Sequence, residues 1–226
     1  MPSDTKLCPS RNTPIPQAAL SRIVSVVVQP GVDFSHTAVT QYSKSSAKKL
    51  VDQLSKYKDI AFEAHSTDYQ QTAGLANLVE DHHLFLKVGP ELTFALREAL
   101  FLLAKIEDEL FQDKASNLIQ VVFKTMDNNP KDWINYYHGS SDEQQFLKHY
   151  SYSDRIRYYW DHPDVDSAIN KMIKNLDNVD IPEFVISQFF GIATNEQNNE
   201  TARSLINSRI QYVVGRYYNA CGLAKW

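Results

Sequence analysis

Four ionisable side chains follow or interrupt two short apolar runs in the first half of the sequence. Glu63, His65 and Asp68 come at the end of the first run, and Lys87 lies in the second. In α/β folds, ligands bind at the carboxyl ends of parallel strands. Positions 63 and 65 are two apart, so on a strand both side chains would point to one face. We therefore predict Glu63 and Asp68 as catalytic carboxylates and His65 as a metal ligand. The alternative is a hydrogen-bonded polar layer at the rim of the sheet.

A second group of residues could bind phosphate. Lys87 and Gly89 lie at the point where the second apolar run ends and a long helix is predicted to begin. A helix N-terminus offers unpaired N–H groups and a partial positive charge to an anion. We therefore predict a substrate or phosphate contact at Lys87 and Gly89, although Glu91 could satisfy the helix dipole instead.

A third group lies in the segment 149–160, which is rich in tyrosine and arginine. Arg155 and Arg157 are predicted to bind a sugar phosphate or a protein partner, since arginine is enriched in both kinds of site. The spacing also predicts an ion pair between Asp154 and Arg157 and a stack of Arg155 on Tyr159. A structural corner of packed aromatic side chains is the alternative interpretation.

Hydrophobic periodicity predicts a scaffold of alternating strands and helices for these residues. The runs 23–28, 60–64 and 84–88 have the length and composition of strands. The nearly continuous apolar character of 23–28 predicts a strand buried on both faces of a parallel sheet. Helices are predicted at residues 43–57, with Ser43 as N-cap, and at 72–79, 91–111, 118–126, 164–176, 183–190 and 200–221.

The order of these elements predicts an α/β fold with a parallel sheet and right-handed crossovers. Three strands are few, because a closed barrel needs eight, so the sheet is either small and open or part of a barrel. The proline-containing residues 1–20 are predicted to form a flexible arm. Residues 21–226 are predicted to form the folded domain, with a helical C-terminal extension.

Composition excludes several classes of function. The 226 residues carry a net charge of -4 and no basic stripe, so nucleic-acid binding is not expected. No apolar run reaches the roughly 18–20 residues that span a membrane, and a signal peptide is not expected. The 2 cysteines form neither a disulfide framework nor a zinc motif, which favours a cytoplasmic location. With no glycine-rich phosphate loop, kinase activity is not expected.

Four sequence blocks resemble one known family. They are VVVQPGVDF at 26–34, FEAHSTDYQ at 62–70, LKVGPELTFALREA at 86–99 and HYSYSDRIRYYW at 149–160. In this order they are similar to the non-catalytic subunit of D-tagatose-1,6-bisphosphate aldolase, a family also labelled tagatose 6-phosphate kinase. The resemblance covers only the C-terminal half of the family's chain.

The resemblance implies a fold and a role. The fold would be the C-terminal half of a TIM-type (β/α)8 barrel with extra C-terminal helices. The chain would cleave no sugar itself, but would support the stability and full activity of a catalytic class II aldolase subunit in galactitol, N-acetylgalactosamine or tagatose 6-phosphate catabolism. His65 would occupy the position of a zinc-binding histidine, and Lys87, Gly89 and Thr93 that of a phosphate loop. No cofactor is expected for the chain alone, because a catalytic zinc takes about three protein ligands and would need a complete barrel.

Two alternatives stay open at this point. The chain could be a metal-dependent epimerase or aldolase acting on a ketohexose or its phosphate, or it could be an inactive truncated homologue. Metal bound at His65 would favour the enzyme. Because an open half-barrel exposes a sheet edge and apolar surface, we also expect the chain to form oligomers or to depend on a partner.

Overall fold

The computed structural model describes residues 22–54, 56–57, 59–191 and 201–223. The predicted arm at residues 1–20 lies outside them. In the described part, the chain is an α/β protein with a small parallel sheet and a larger helical region. No helix there combines the length and the apolar character needed to cross a membrane.

The sheet contains three parallel strands. The strand that is second of the three in the sequence is also the central strand of the sheet. These strands are β1 (Ser25–Val28), β4 (Ala61–Ala64) and β5 (His83–Leu86), in the order β1-β4-β5. Between β1 and β4 the chain forms a short antiparallel hairpin of β2 (Asp33–Phe34) and β3 (Val39–Thr40). The sequence predicted the three parallel strands to within two residues but not the hairpin.

The helices follow the predicted order, with one addition. They are α1 (Lys44–Leu54), α2 (Thr72–Glu80), α3 (Pro90–Phe111), α4 (Leu118–Asn128), α5 (Ser141–Tyr150), α6 (Pro163–Leu176), α7 (Glu183–Phe190) and α8 (Ala202–Ala220). Pro90 begins α3 at a position where a missing N–H costs nothing. The predicted cap of α1 is confirmed, since Ser43 Oγ accepts the N–H of Ser46 at 3.4 Å.

Two hydrophobic clusters hold the described residues together. The larger one is helical and joins α3, α4, α6, α7 and α8 around side chains such as Leu103, Met126 and Met172. The smaller one lies against the sheet, where Ala64 and the leucines of α2 are buried. The long helix α8 takes part in both, because its C-terminal end packs on the smaller cluster through Tyr217 and Ala220. This helix therefore ties the sheet to the helical region.

The opposite face of the sheet is largely uncovered. Register pairs Val27 with Glu63 and Glu63 with Phe85, so these three side chains share one face, here called the open face. Val27 is 54% exposed and Phe85 47% exposed. The prediction that the first strand is buried on both faces is wrong, because β1 is an edge strand whose Val26 and Val27, on opposite faces, are both exposed among the described residues.

Candidate functional site

Glu63 and His65 meet at the carboxyl end of the central strand. Glu63 is on β4 and His65 follows its last residue, and their Oε1 and Nε2 atoms are 3.2 Å apart. The backbone N–H of His65 donates to the Val28 carbonyl at 3.4 Å, which fixes it against β1. The prediction that the two side chains point the same way is confirmed. A partly exposed carboxylate and imidazole in contact can exchange a proton or share a ligand.

Lys87 lies at the same end of the sheet, directly after β5. Its N–H donates to the Ala64 carbonyl at 3.0 Å, and its own carbonyl accepts from Thr67 Oγ1 at 2.9 Å. The backbone is therefore fixed while the lysine side chain is exposed. The structure thus brings Glu63, His65 and Lys87 to the carboxyl end of neighbouring strands, where a ligand would meet a base and a cation.

These residues do not by themselves make a zinc site. A catalytic zinc takes about three protein ligands, and Glu63 with His65 supplies two donors. No group of three or more histidine, cysteine, aspartate or glutamate side chains in the described part of the chain could hold a metal ion. Any metal at His65 would need further ligands from elsewhere.

Asp68 lies apart from this pair and caps a helix. Its side chain is buried, and Oδ1 accepts the N–H groups of Gly89 at 2.8 Å and Glu91 at 2.9 Å. Burial raises the pKa of this carboxyl, and the two N–H donors oppose the shift. The catalytic role of Asp68 stays a prediction, but the carboxylate already satisfies the N-terminus of α3.

The same contact bears on the predicted phosphate loop. The donors that a phosphate would use at the start of α3 include the N–H groups of Gly89 and Glu91, which Asp68 occupies. Thr93 is also engaged, since its Oγ1 lies 2.5 Å from Asp154 Oδ2. Of the three predicted phosphate contacts, Lys87 therefore has the side chain most accessible to a ligand.

Asp154 forms a buried ion pair that the sequence did not indicate. Its Oδ1 lies 3.3 Å from Arg97 Nη1, and both side chains are almost fully buried. Burial raises the pKa of Asp154, while Arg97 and Thr93 act in the opposite direction. The predicted ion pair with Arg157 is wrong: among the described residues the partner of Asp154 is Arg97, 57 positions earlier on α3. No local spacing signal could have found it.

Arg155 and Arg157 lie in an aromatic corner. The Arg155 guanidinium carbon is 3.4 Å from the ring centre of Tyr136 and 5.0 Å from that of Tyr158, and its Nε donates to the Asp132 carbonyl. Arg157 lies 4.6 Å over Tyr158. The predicted stack of Arg155 on Tyr159 is wrong, because Tyr136 and Tyr158 take that place. The geometry supports the structural corner, and ligand binding by these arginines stays a prediction.

A further network, missed from the sequence, links α8 to the loop after β4. The Glu91 carboxylate accepts the N–H of Tyr69 at 2.7 Å and pairs with Arg216 Nη1 at 2.7 Å. Tyr217 Oη lies 2.7 Å from the same carboxylate and 2.9 Å from the Thr67 carbonyl. Because Arg216 and Tyr217 are more than a hundred residues from their partners, no spacing rule could reveal these contacts. The network holds the loop that follows His65.

Fold and site together define an α/β protein with a carboxylate–imidazole pair at the carboxyl end of a parallel sheet. Residues 13–222 match the model of the D-tagatose-1,6-bisphosphate aldolase subunit GatZ/KbaZ-like family, and the chain belongs to that family. The resemblance of the four sequence blocks is thereby confirmed.

A solved structure provides a second comparison. It is described as a probable tagatose 6 phosphate kinase from Sinorhizobium meliloti 1021, and it shares 43% sequence identity with this chain at a TM-score of 0.86. The match covers 90% of this chain and 54% of that chain. The chain therefore spans about half the length of this relative.

Proposed function

We propose that this chain is a non-catalytic subunit that supports a class II D-tagatose-1,6-bisphosphate aldolase. Membership of the aldolase subunit family is the observation that carries the proposal. The chain would bind the catalytic subunit and extend its lifetime and activity in galactitol, N-acetylgalactosamine or tagatose 6-phosphate catabolism. Its own residues would perform no cleavage, and the expected cytoplasmic location stays a prediction.

We also propose that residues 21–226 form part of a (β/α)8 barrel with a helical extension. Parallel sheets are normally covered on both faces, whereas here Val27 and Phe85 remain exposed on the open face. The described residues also leave the outer edges of β1 and β5 unpaired. Additional strands from a partner or a second copy would bury this surface, which supports an oligomeric or partner-dependent state.

Glu63, His65 and Lys87 would then form part of a ligand site. In a covered sheet, Lys87 would attract the phosphate of a sugar phosphate, and Glu63 would orient the His65 imidazole. A divalent metal would bind at His65 only if the covering strands supplied the missing ligands.

The test uses the catalytic class II subunit with and without this chain. We expect co-purification of the two proteins, together with a longer half-life and higher aldolase activity of the catalytic subunit. Bovine serum albumin at equal mass serves as a control for non-specific protection. If no complex forms and neither quantity changes, the subunit role is wrong and the inactive-homologue alternative is favoured.

The contact between Glu63 and His65 favours a second candidate, a metal-dependent ketohexose or ketohexose-phosphate epimerase or aldolase. A base beside a metal-binding group suits proton transfer next to a carbonyl. If self-association supplied the missing ligands, the purified chain would hold about one metal ion per copy, measured by elemental analysis, and His65→Ala would lose it. A chain without bound metal and without activity on ketohexose phosphates would contradict this candidate.

A further inference from the structure

A cavity lies in the helical region, between α3 and α8. Its volume is about 320 Å³, and the loops after β4 and after α5 contribute to its walls. This size is at the lower end of the range for small-molecule sites. Its lining side chains come from the helical region and the loop that leaves the sheet, whereas Glu63 projects from the open face. The cavity is therefore a different surface from the candidate site described above.

One wall of the cavity is aromatic. The ring centres of Tyr69 and Tyr152 are 4.6 Å apart, and those of Tyr69 and Phe94 are 5.5 Å apart. The rings of Phe94 and Tyr152 stack at an interplanar angle of 27°. The three rings support one another, so they form a fixed apolar surface rather than three independent side chains.

The backbone of Tyr69, which lies in this wall, adopts an unfavourable conformation. Its φ is +61°, a region that bulky residues rarely adopt and that is often found next to ligands. Two contacts fix it: its N–H donates to Glu91 at 2.7 Å, and its hydroxyl donates to the Tyr152 carbonyl at 2.6 Å. The chain thus maintains an unfavourable conformation that presents the Tyr69 ring to the cavity.

The other wall carries two arginine–glutamate ion pairs, so its positive and negative charges balance. Arg209 donates to Glu98 Oε2 from Nε at 3.1 Å and from Nη2 at 2.7 Å, and this pair is partly exposed. Arg216 pairs with Glu91 through Nη1 and Oε1 at 2.7 Å, and this pair is more buried than the first. A phosphate prefers an unpaired cation, so it would have to break one of these pairs. A neutral ligand with hydroxyl groups could accept from the guanidinium and donate to the carboxylate without breaking either.

We propose that this cavity binds a small neutral polyhydroxylated ring, such as a sugar without a phosphate. The ring's apolar face would lie on Tyr69, Tyr152 and Phe94, and its hydroxyls would contact Glu98 and Arg209. Lys87 is proposed above to attract a negatively charged ligand, whereas this cavity would favour a ligand without charge. The proposal does not depend on the aldolase subunit role, because the cavity is formed by this chain alone.

The test is a titration of the full chain with D-fructose as the neutral ring, followed by calorimetry, with inorganic phosphate as the charged comparison. Tyr212→Ala removes a cavity side chain that is 62% exposed and whose ring centre lies 5.8 Å from the guanidinium carbon of Arg209, a proposed ligand contact. Tyr57→Ala, at 61% exposure, is the matched control and lies outside the cavity lining. Glu98→Gln removes the carboxylate charge while keeping the side-chain shape.

We expect millimolar binding of D-fructose that Tyr212→Ala and Glu98→Gln each weaken by about fivefold or more. Tyr57→Ala should bind like the parent chain, and phosphate should not compete. The proposal is overturned if the parent chain shows no saturable binding, if phosphate displaces the sugar, or if all three variants bind equally. Loss of aldolase support in the mixing experiment would leave this result unaffected, so the two proposals fail separately.

Discussion

His83 is a buried histidine whose protonation the fold disfavours. It lies on β5 between the rings of Tyr42 and Phe62. Nδ1 is 3.0 Å from the Leu78 carbonyl and must donate to it, so the unprotonated Nε2 is left without a hydrogen-bond partner among the described residues. Burial lowers the pKa of His83.

The stability of the chain should therefore fall as pH drops below the ordinary histidine pKa of about 6.5. The unfolded chain binds a proton there and the folded chain does not, so His83 contributes a slope of up to about 1.4 kcal/mol per pH unit. Urea unfolding between pH 7.5 and 5.5 measures it. His83→Phe should flatten the slope, while His82→Asn at the exposed neighbouring position should not; an unchanged slope in His83→Phe would contradict the assignment.

At the residue scale, sequence reasoning succeeded for one local pair on a strand and failed for the two local pairs predicted in the segment 149–160. The contact of Glu63 with His65 follows from strand periodicity alone. The role of Asp68 did not follow, because its partners are 21 and 23 residues away. Arg97 was missed for the same reason, since its partner Asp154 lies on a distant loop.

The N-terminus of α3 provides the first prediction at the scale of elements. Asp68→Ala would leave the N–H groups of Gly89 and Glu91 without their buried acceptor, at a cost of about 1–3 kcal/mol. Urea unfolding measures the loss, and Asp161→Ala at an exposed aspartate should change stability by less than about 0.5 kcal/mol. Unchanged stability together with lost activity of an aldolase complex would instead support the predicted catalytic role.

The attachment of α8 provides a second prediction at this scale. Tyr217→Phe would remove the hydroxyl that contacts Glu91 and the Thr67 carbonyl, and we expect a loss of about 1 kcal/mol in the free energy of unfolding. Tyr218→Phe changes the next residue, which is more exposed, and is the matched control. Thermal unfolding of both variants makes the comparison; equal melting temperatures would show that the hydroxyl does not fasten α8.

Elements with strong apolar periodicity were predictable, and weakly patterned ones were not. The helix α3 was predicted to within one residue at its start. The helix α5 was missed because Lys148 is its one buried residue in the described structure, although Ser140 and Glu143 form a capping box that marks its start. The hairpin was missed because two-residue strands leave no periodic pattern.

At the scale of the whole molecule, the open face should control association. Phe85→Ser would remove an aromatic side chain from it and weaken self-association or binding to the catalytic subunit by about tenfold or more. Analytical ultracentrifugation over a range of concentrations measures both. Phe146→Ser on α5, at 62% exposure, is the matched control; if it weakens association equally, the open face is not the interface.

The sequence could predict the mixed α/β class but not what surrounds the sheet. The apolar run that contains Val26 and Val27 has the composition of a strand buried on both faces, yet both side chains are exposed among the described residues. An apolar composition indicates that a strand is buried in its final assembly. It does not indicate which chain buries the strand. A barrel therefore remains a proposal.

The contacts of α8 with the sheet region can form only late in synthesis, because α8 is near the C-terminal end of the described residues. Tyr217 is made 150 residues after Thr67, whose carbonyl it contacts. At about 5–20 residues per second, a ribosome needs roughly 8–30 s to cover that interval. During this time the nascent sheet lacks the side chains of α8 that pack on the cluster around Ala64, so part of that cluster is exposed. The protein should accordingly be most dependent on chaperones while it is being translated, and least dependent once its last long helix has docked.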